Sequence, residues 1–293
     1  MAISVVVPIY NEENAVKSSI DELRSVLADF GDYEIIAVND GSTDQSLSII
    51  TAIEGKHIKV INHVQNLGYG KSLWDGIREA KYEYIAITDV DGTYPVNDLK
   101  KLFEYLPDFD MVIGARRGKE YDKGIIKGPA RMIFKFIAEY ATGKKNPDIN
   151  SGFRIFKRDI VLDFEDPLCM GFSFTTTITL LFNFNNYFIK YVPITYLNRI
   201  GKSKVHHFKD TLRAGQIIVE TFLYYNPLKL FLLLATLNAI FGVILGLFNK
   251  VFMDIDFLAT AAAMCIASFV PVFGLGLLAT QIRRLFWKRK SWN

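Results

Sequence analysis

Ile3-Ser4-Val5-Val6-Val7-Pro8-Ile9-Tyr10-Asn11-Glu12 is the stretch that decides the fold. Its apolar run is nearly continuous and then gives way to polar residues. An apolar side chain at almost every position, rather than at alternate ones, predicts a strand covered on both faces, as strands of parallel sheets are. The run begins so near the first residue that no leader peptide is expected.

The same pattern recurs downstream. Short β-rich runs at Ile3–Ile9, Glu34–Val38, Ile58–Asn62, Tyr84–Thr88 and Met111–Gly114 alternate with helical patterns at Glu13–Phe30, Thr43–Ile53, Tyr69–Ala80 and Val96–Leu106. Strands separated by helices of this length predict right-handed crossovers and an α/β fold with a mostly parallel, doubly wound sheet. Ligands of such sheets sit beyond the carboxyl ends of the strands. The polar clusters fall there: Tyr10-Asn11-Glu12 after the first strand, Asn39-Asp40-Gly41-Ser42-Thr43-Asp44 after the second, and Asp89-Val90-Asp91-Gly92-Thr93 after the fourth.

Asp89 and Asp91 flank a single valine where the chain leaves the pleat, so both carboxylates can approach one ion. Together with diphosphate oxygens they make a hard, oxygen-rich site suited to Mg²⁺ or Mn²⁺. The plain alternative is a solvated Asp-Gly turn. Asp40 through Asp44 open a helix, with Ser42 or Thr43 expected as its cap and Gly41 permitting the sharp turn. Asp40, joined by Glu12, is expected to touch a nucleobase or ribose; a helix start without a ligand is the alternative. Gly70-Lys71-Ser72 looks like the end of a phosphate-binding loop, but Gln65 stands where its first glycine belongs. Gly68-Tyr69-Gly70 lacks the third glycine of a dinucleotide fingerprint, Leu73 standing in its place.

The 293 residues include 34 Lys and Arg against 31 Asp and Glu, a net charge of +3. Seven of the basic residues and two of the aspartates fall from Lys229 onward, leaving the first 228 residues slightly acidic. That balance excludes nucleic acid as a partner, since phosphate binding there needs a basic face. Two cysteines, Cys169 and Cys265, fit neither a disulfide framework nor a zinc site, and the apolar stretch around Cys169 favours a buried thiol over a catalytic one.

Half the residues are hydrophobic and the mean hydropathy is +0.18. The excess lies in two charge-free segments, Leu230–Asn249 and Phe257–Ile282. Both are long enough for a bilayer-crossing helix, which needs roughly 20 apolar residues. Arg283, Arg284, Lys288, Arg289 and Lys290 follow the second, with Trp287 and Trp292 as interfacial anchors, so the positive-inside tendency puts that tail in the cytoplasm. The expected layout is a cytoplasmic catalytic domain (1–205), a juxtamembrane amphipathic helix (206–228), spans at 229–250 and 256–282, and a basic cytoplasmic tail (283–293) in the cell membrane. Lys127, Arg131 and Lys135 recur every four residues on a helix from near Pro129 to Gly143, beside Met132, Ile133, Phe136 and Ile137. A basic amphipathic helix in such a chain reads as lying at lipid headgroups; a solvated charge stripe is the alternative.

In order, Val7 to Glu12, Asn39 to Asp44, Asn66-Leu67-Gly68-Tyr69-Gly70 and Asp89-Val90-Asp91 resemble the motifs of the family-2 glycosyltransferases, over essentially the first 205 residues. Ser151-Gly152-Phe153-Arg154, Arg199 to Lys204 and the two-span end make the chain similar to the polyprenyl-phosphate branch, such as the dolichol-phosphate mannose synthases. The resemblance implies inverting transfer of a sugar from GDP-mannose or a UDP-hexose to a membrane polyprenyl phosphate. It places the nucleotide sugar against Pro8, Tyr10, Glu12, Asn39, Asp40 and Lys71, with Asp89 and Asp91. It gives the metal, Mg²⁺ or Mn²⁺, to Asp89, Asp91 and Thr93, the last standing where some mannose synthases have Gln. Catalysis falls to Asp89, Asp91, Arg116 and Arg199, and the lipid phosphate to Arg116, Arg131, Arg154, Ser203 and Lys204. Asn39 replaces the first Asp of many members, and Gly152 an acidic residue of several bactoprenol-type relatives. The implied partners are donor, acceptor and bilayer, with self-association through the spans left open.

Two rival readings stand beside this one. A processive polysaccharide synthase would carry Q-x-x-R-W, but Gln281-Ile282-Arg283-Arg284-Leu285 lacks the Trp and follows the last span. A non-catalytic, membrane-anchored nucleotide-sugar binder would be favoured by loss of Asp89 or Asp91, and both are present.

Overall fold

The computed structural model describes residues 2–118, 127–164, 174–200, 215–216, 219–220, 222–253 and 255–290, with the backbone alone at 127–131, 133, 134 and 284–290. The chain divides into two compact units, Met1–Ile218 and Val219–Asn293.

The first unit is built on one seven-stranded sheet. Its strands are β1 (Ile3–Ile9), β2 (Tyr33–Asp40), β3 (Ile58–His63), β4 (Tyr84–Ile87), β5 (Met111–Arg117), β6 (Arg154–Lys157) and β7 (Ile189–Thr195), in the order β3-β2-β1-β4-β6-β5-β7. Neighbours pair in parallel except at β6, which runs against both β4 and β5. The apolar runs explain the two-sided cover: Val5, Val6 and Val7 of β1 and Ile35, Ile36 and Ala37 of β2 are all fully buried. The helices Val16–Leu27 and Tyr69–Glu79 lie between strands as the periodicity predicts.

Some boundaries differ from the sequence expectation. The helix expected from Thr43 starts at Ser46, because Ser42 and Thr43 are used elsewhere. Asn11, in a left-handed conformation (φ 52°), accepts from the Thr43 N–H at 2.7 Å, and the Asn11 N–H donates to Ser42 Oγ at 3.0 Å. Gln45 stands at the N-cap without a side-chain bond, and Asp44 just before it accepts from the Ser46 N–H at 2.9 Å. Strand β5 runs on to Arg117, three residues past Gly114, because β7 pairs with its whole length. Finally, β7 carries Pro193 inside its span, which an edge strand tolerates.

Register explains why the site forms where it does. Antiparallel pairing sets Ile87, the last residue of β4, opposite Arg154, the first of β6. The residues after β4 and those before β6 therefore meet: Asp89 with Gly152. Only a strand running backwards through the sheet brings its leading loop to this edge.

In the second unit, Pro227–Phe248 continues through a π turn at Asn249–Met253, and Asp256–Ala267 is followed by Phe269–Lys290. The stretches Pro227–Met253 and Asp256–Arg283 are long and apolar enough to cross a membrane. Asn249 closes the turn, donating to the Ile255 carbonyl at 3.0 Å and accepting from its N–H at 2.9 Å. The break at Ser268 precedes Pro271, which has no N–H to continue the helical ladder. Within the hairpin, Asn238 donates to Ser268 Oγ at 2.5 Å, and a Cβ on Gly242 would lie 2.8 Å from the Ala262 carbonyl oxygen.

Candidate active site

The loops leaving β1, β2 and β3 are stitched together by their own polar groups. The Glu12 N–H donates to Ser46 Oγ at 2.8 Å and the Glu13 N–H to Asp44 at 3.1 Å. Asp40 accepts from the backbone N–H groups of Leu67 and Gly68, at 2.8 and 2.9 Å, and faces His63 Nδ1 at 2.9 Å. Gly41, with φ at +65°, lets β2 turn where a Cβ would stand 2.4 Å from the Gln65 carbonyl carbon. Asn39 donates to Asn62 at 2.7 Å, while its own side-chain oxygen is buried with no hydrogen-bond partner. That acceptor lies at the carboxyl end of β2.

Asp89 and Asp91 stand beyond β4. Tyr69, at the head of its helix, donates to Asp89 at 3.1 Å. Burial first, and then the Asp91 charge, push the Asp89 carboxyl up to about 7, against the pull of the Arg116 and Arg199 charges. Asp91 accepts from the Thr93 N–H and hydroxyl, at 3.1 and 2.5 Å. Gly152 leaves the space beside the pair open, since a Cβ there would lie 3.1 Å from both Asp89 Oδ2 and the Tyr69 hydroxyl. Its N–H donates to the Tyr94 hydroxyl at 2.8 Å.

Arg199 joins the first loop to this pair. It donates to Glu12 at 2.8 Å, and its other terminal nitrogen lies 3.2 Å from Asp91. Its segment runs alongside the Asp turn: the Leu197 N–H bonds the Thr93 carbonyl and the Ile200 N–H bonds that of Asp91. Arg116, at the end of β5, is clamped by buried Asp148, which accepts from its Nε and Nη2, both at 2.8 Å, and from its backbone N–H. Composition carries no signal for Asp148 or His63, because each works through a partner distant in sequence; Tyr69 stands in the Asn66-Leu67-Gly68-Tyr69-Gly70 motif, which gives no sign of its bond to Asp89.

The sequence-expected residues thus separate. Glu12, Asp89, Asp91, Thr93 and Arg199 come together. Asn39 and Asp40 stand at the end of β2, with Pro8 on β1 paired opposite Val38 and Tyr10 just beyond β1. Lys71 holds Asp75 at 2.6 Å on its own helix. Thr93 serves Asp91 directly rather than offering an independent ligand. Arg154 needs correction. It is fully buried, donating to the Ser151, Thr175 and Ile149 carbonyls and to Thr179, so its guanidinium braces the 149–152 loop and is closed to a lipid phosphate. Burial lowers it only to about 10, which keeps it charged at neutral pH. Ser203 and Lys204 lie outside the described residues, as does Cys169, and Arg131 is described by its backbone alone.

The pair Asp89 and Asp91 fits a divalent cation. Both are hard oxygen donors, and burial and then the Asp91 charge make the ionised Asp89 costly without a cation beside it. Among the described residues no third His, Cys, Asp or Glu side chain completes a protein-only site.

Comparison with known proteins gives the family and the fold. The chain is 26% identical to the undecaprenyl-phosphate 4-deoxy-4-formamido-L-arabinose transferase of Klebsiella pneumoniae strain 342, covering 97% of this chain and 89% of that protein. It is 28% identical to a low-salt glycan biosynthesis hexosyltransferase of Haloferax volcanii, over 72% of this chain and 51% of the relative. The fold is that of glucosyl-3-phosphoglycerate synthase from Mycobacterium tuberculosis, solved with Mn²⁺, UDP-glucose and phosphoglyceric acid: TM-score 0.60 at 19% identity, over 75% of this chain and 79% of that one. The model of glycosyl transferase family 2 matches residues 4–164, which hold β1 through β6 and both aspartates of the pair. Since that match spans more than half of the chain, this protein is a glycosyltransferase of family 2.

Proposed function

We propose that the protein transfers a sugar, with inversion, from a GDP- or UDP-linked donor to the phosphate of a membrane polyprenol. The observation that carries the reading is the grouping of Asp89, Asp91, Glu12 and Arg199 at the strand ends, with Asp148-clamped Arg116 contributing its charge. Likeness over nearly the whole chain to an undecaprenyl-phosphate sugar transferase, and two apolar helices of spanning length, support the acceptor.

The chemistry needs little base strength. The second pKa of a phosphate monoester is about 6, so the acceptor is largely ionised near neutral pH. Its oxygen forms a bond to the anomeric carbon as the bond from that carbon to the donor diphosphate breaks, and the electron pair leaves with the diphosphate. The difficulty is two anions side by side, which fixed cations offset. Arg116 is held rigid by its two-point ion pair, and Arg199 reaches between the first loop and the Asp turn. Asp89 and Asp91, with Thr93 bracing Asp91, would hold Mg²⁺ or Mn²⁺, which supplies Lewis-acid neutralisation of the departing diphosphate. Asn39, with its orphaned oxygen, and Asp40 stand on the side proposed for the nucleoside.

Membranes containing the protein, given polyprenyl phosphate and a panel of radiolabelled GDP- and UDP-sugars, should form a labelled polyprenyl-phosphate monosaccharide from one donor. Label in a long polymer would favour a processive synthase, and donor binding without transfer a non-catalytic binder.

The helix Lys127–Thr142 supports a membrane-facing acceptor site. Met132 and Phe136, one turn apart, are exposed by 69% and 56%, and Lys135 is exposed beside them. Arg131 lies one turn before Lys135 and is proposed to meet the lipid phosphate. Arg131→Ala should lower acceptor efficiency about tenfold to a hundredfold, the size of a lost charge-assisted contact, with donor KM unchanged. Arg131→Lys should recover part of it, a point charge replacing a fork. An unchanged acceptor response in Arg131→Ala removes this assignment.

The tail charges support a cytoplasmic catalytic unit with 249–256 outside. Lys250→Cys, in a chain whose Cys169 and Cys265 are serine, should react with an impermeant thiol reagent added to intact cells. Reaction only after lysis reverses the orientation.

A further inference from the structure

His63 ends β3 and pairs in register with Asp40 at the end of β2. Its side chain is 8% exposed and lies between two carboxylates, with Nδ1 2.9 Å from Asp40 Oδ1 and Nε2 3.2 Å from Asp75 Oδ2. The Nδ1 contact has hydrogen-bond geometry; Nε2 lies within reach of Asp75 without that geometry.

Each of the two carboxylates does further work. Asp40 gathers the Leu67 and Gly68 N–H groups and so closes the 64–68 loop, which packs backbone to backbone against Gly41. Asp75 holds Lys71 at 2.6 Å. Two residues of the nucleotide side, Asp40 and Lys71, are thereby tied to one imidazole. Removing it leaves a buried carboxylate short of a donor and two acids with nothing between them, an arrangement that relaxes by moving one of the loops.

We propose that His63 is a positioning residue for the donor nucleotide: it fixes Asp40, and through Asp40 the 64–68 loop, without touching the donor. The proposal rests on the nucleotide-sugar reading above. It predicts an effect on donor affinity with little effect on the chemical step.

The variants separate the two ring nitrogens. In His63→Asn the amide nitrogen replaces Nδ1 and keeps the bond to Asp40; in His63→Gln it replaces Nε2 and keeps the Asp75 side. Full-length protein in detergent is titrated calorimetrically with UDP and with GDP, and donor KM and kcat are measured with the sugar donor that wild type uses. His63→Ala should weaken nucleotide binding and raise donor KM about tenfold, as expected for a lost buried bond to a charged group, with kcat within about twofold. His63→Asn should restore most of the loss and His63→Gln little.

Unchanged donor affinity in a folded His63→Ala overturns the proposal. So does a parallel fall of kcat, thermal stability and affinity that Asn does not rescue, the mark of a structural residue. Should His63→Ala fail to fold, the Asn and Gln pair decides: near-wild-type affinity in Asn with loss in Gln supports the proposal, and equal behaviour overturns it. Wild-type protein that binds neither UDP nor GDP overturns the nucleotide-sugar reading, and the positioning role with it.

Discussion

Asp91→Asn should abolish sugar transfer while leaving the fold intact. The amide keeps the shape of the side chain and an oxygen for the Thr93 N–H and hydroxyl, so the turn should hold. What disappears is one of the two charges that fit the divalent cation, along with the ion contact to Arg199. Loss of groups that merely orient metal ligands costs about 10- to 100-fold in affinity or activity, and loss of a ligand itself should exceed that. Turnover with added Mn²⁺ or Mg²⁺, beside a thermal melt, tests it; near-normal rates would sink the metal assignment. Wild type offers a companion measurement. The Asp89 carboxyl is raised to about 7 in the folded chain, against about 3.9 when unfolded. The folded state therefore binds this proton more tightly, and the group's contribution to stability falls as pH rises from about 4 through 7. A cation competes with the same proton. Mn²⁺ should accordingly raise the melting temperature more at pH 8 than at pH 6, and Asp91→Asn should flatten that difference. A pH-independent Mn²⁺ effect in wild type would contradict it.

Gly41→Ala should carry the next largest effect. A side chain at φ +65° costs about 1–2 kcal/mol in backbone conformation alone. Its Cβ would also lie 2.4 Å from the Gln65 carbonyl carbon and 2.6 Å from the Asn66 nitrogen, both backbone atoms that cannot rotate aside. The 64–68 loop must move, and the Leu67 and Gly68 bonds to Asp40 move with it. We expect a loss of about 2–4 kcal/mol in stability and a donor affinity reduced more than about tenfold. Gly55→Ala is the control: its Cβ would meet nothing within 4 Å, and it should behave as wild type. Equal melting temperatures for the two variants would show that the loops do not press on one another.

Much of this site is legible in the order of residues alone, because a parallel sheet buries its strands on both faces and puts its polar residues at their ends. The apolar runs of β1, β2 and β4 therefore stand out, and so do Asp89 and Asp91 just past them. Strand β6 does not. Its four residues begin with Arg154 and end with Lys157, which resembles a surface segment; its burial depends on carbonyls of Ile149 and Thr175 that no local pattern reveals. The expectation of Arg154 as a phosphate ligand fails for the same reason, since sequence shows a cation but not what surrounds it. His63 is silent for the converse reason: one histidine at a strand end gains meaning only from Asp40 and Asp75, 23 and 12 residues away.

The backward strand also bears on how the chain must assemble. Strands β1 to β4 can pair among themselves as soon as they are made, because each finds its neighbour within the first 87 residues. The outer margin of β4 then has no mate, for β5, next in synthesis, belongs one place further out. That margin stays bare until Arg154–Lys157 arrives, an open rail of amides and carbonyls of the kind that recruits other chains. Newborn protein should therefore be most prone to aggregate while residues 88–153 are emerging, and truncations ending in that interval should precipitate more readily than those ending after Lys157.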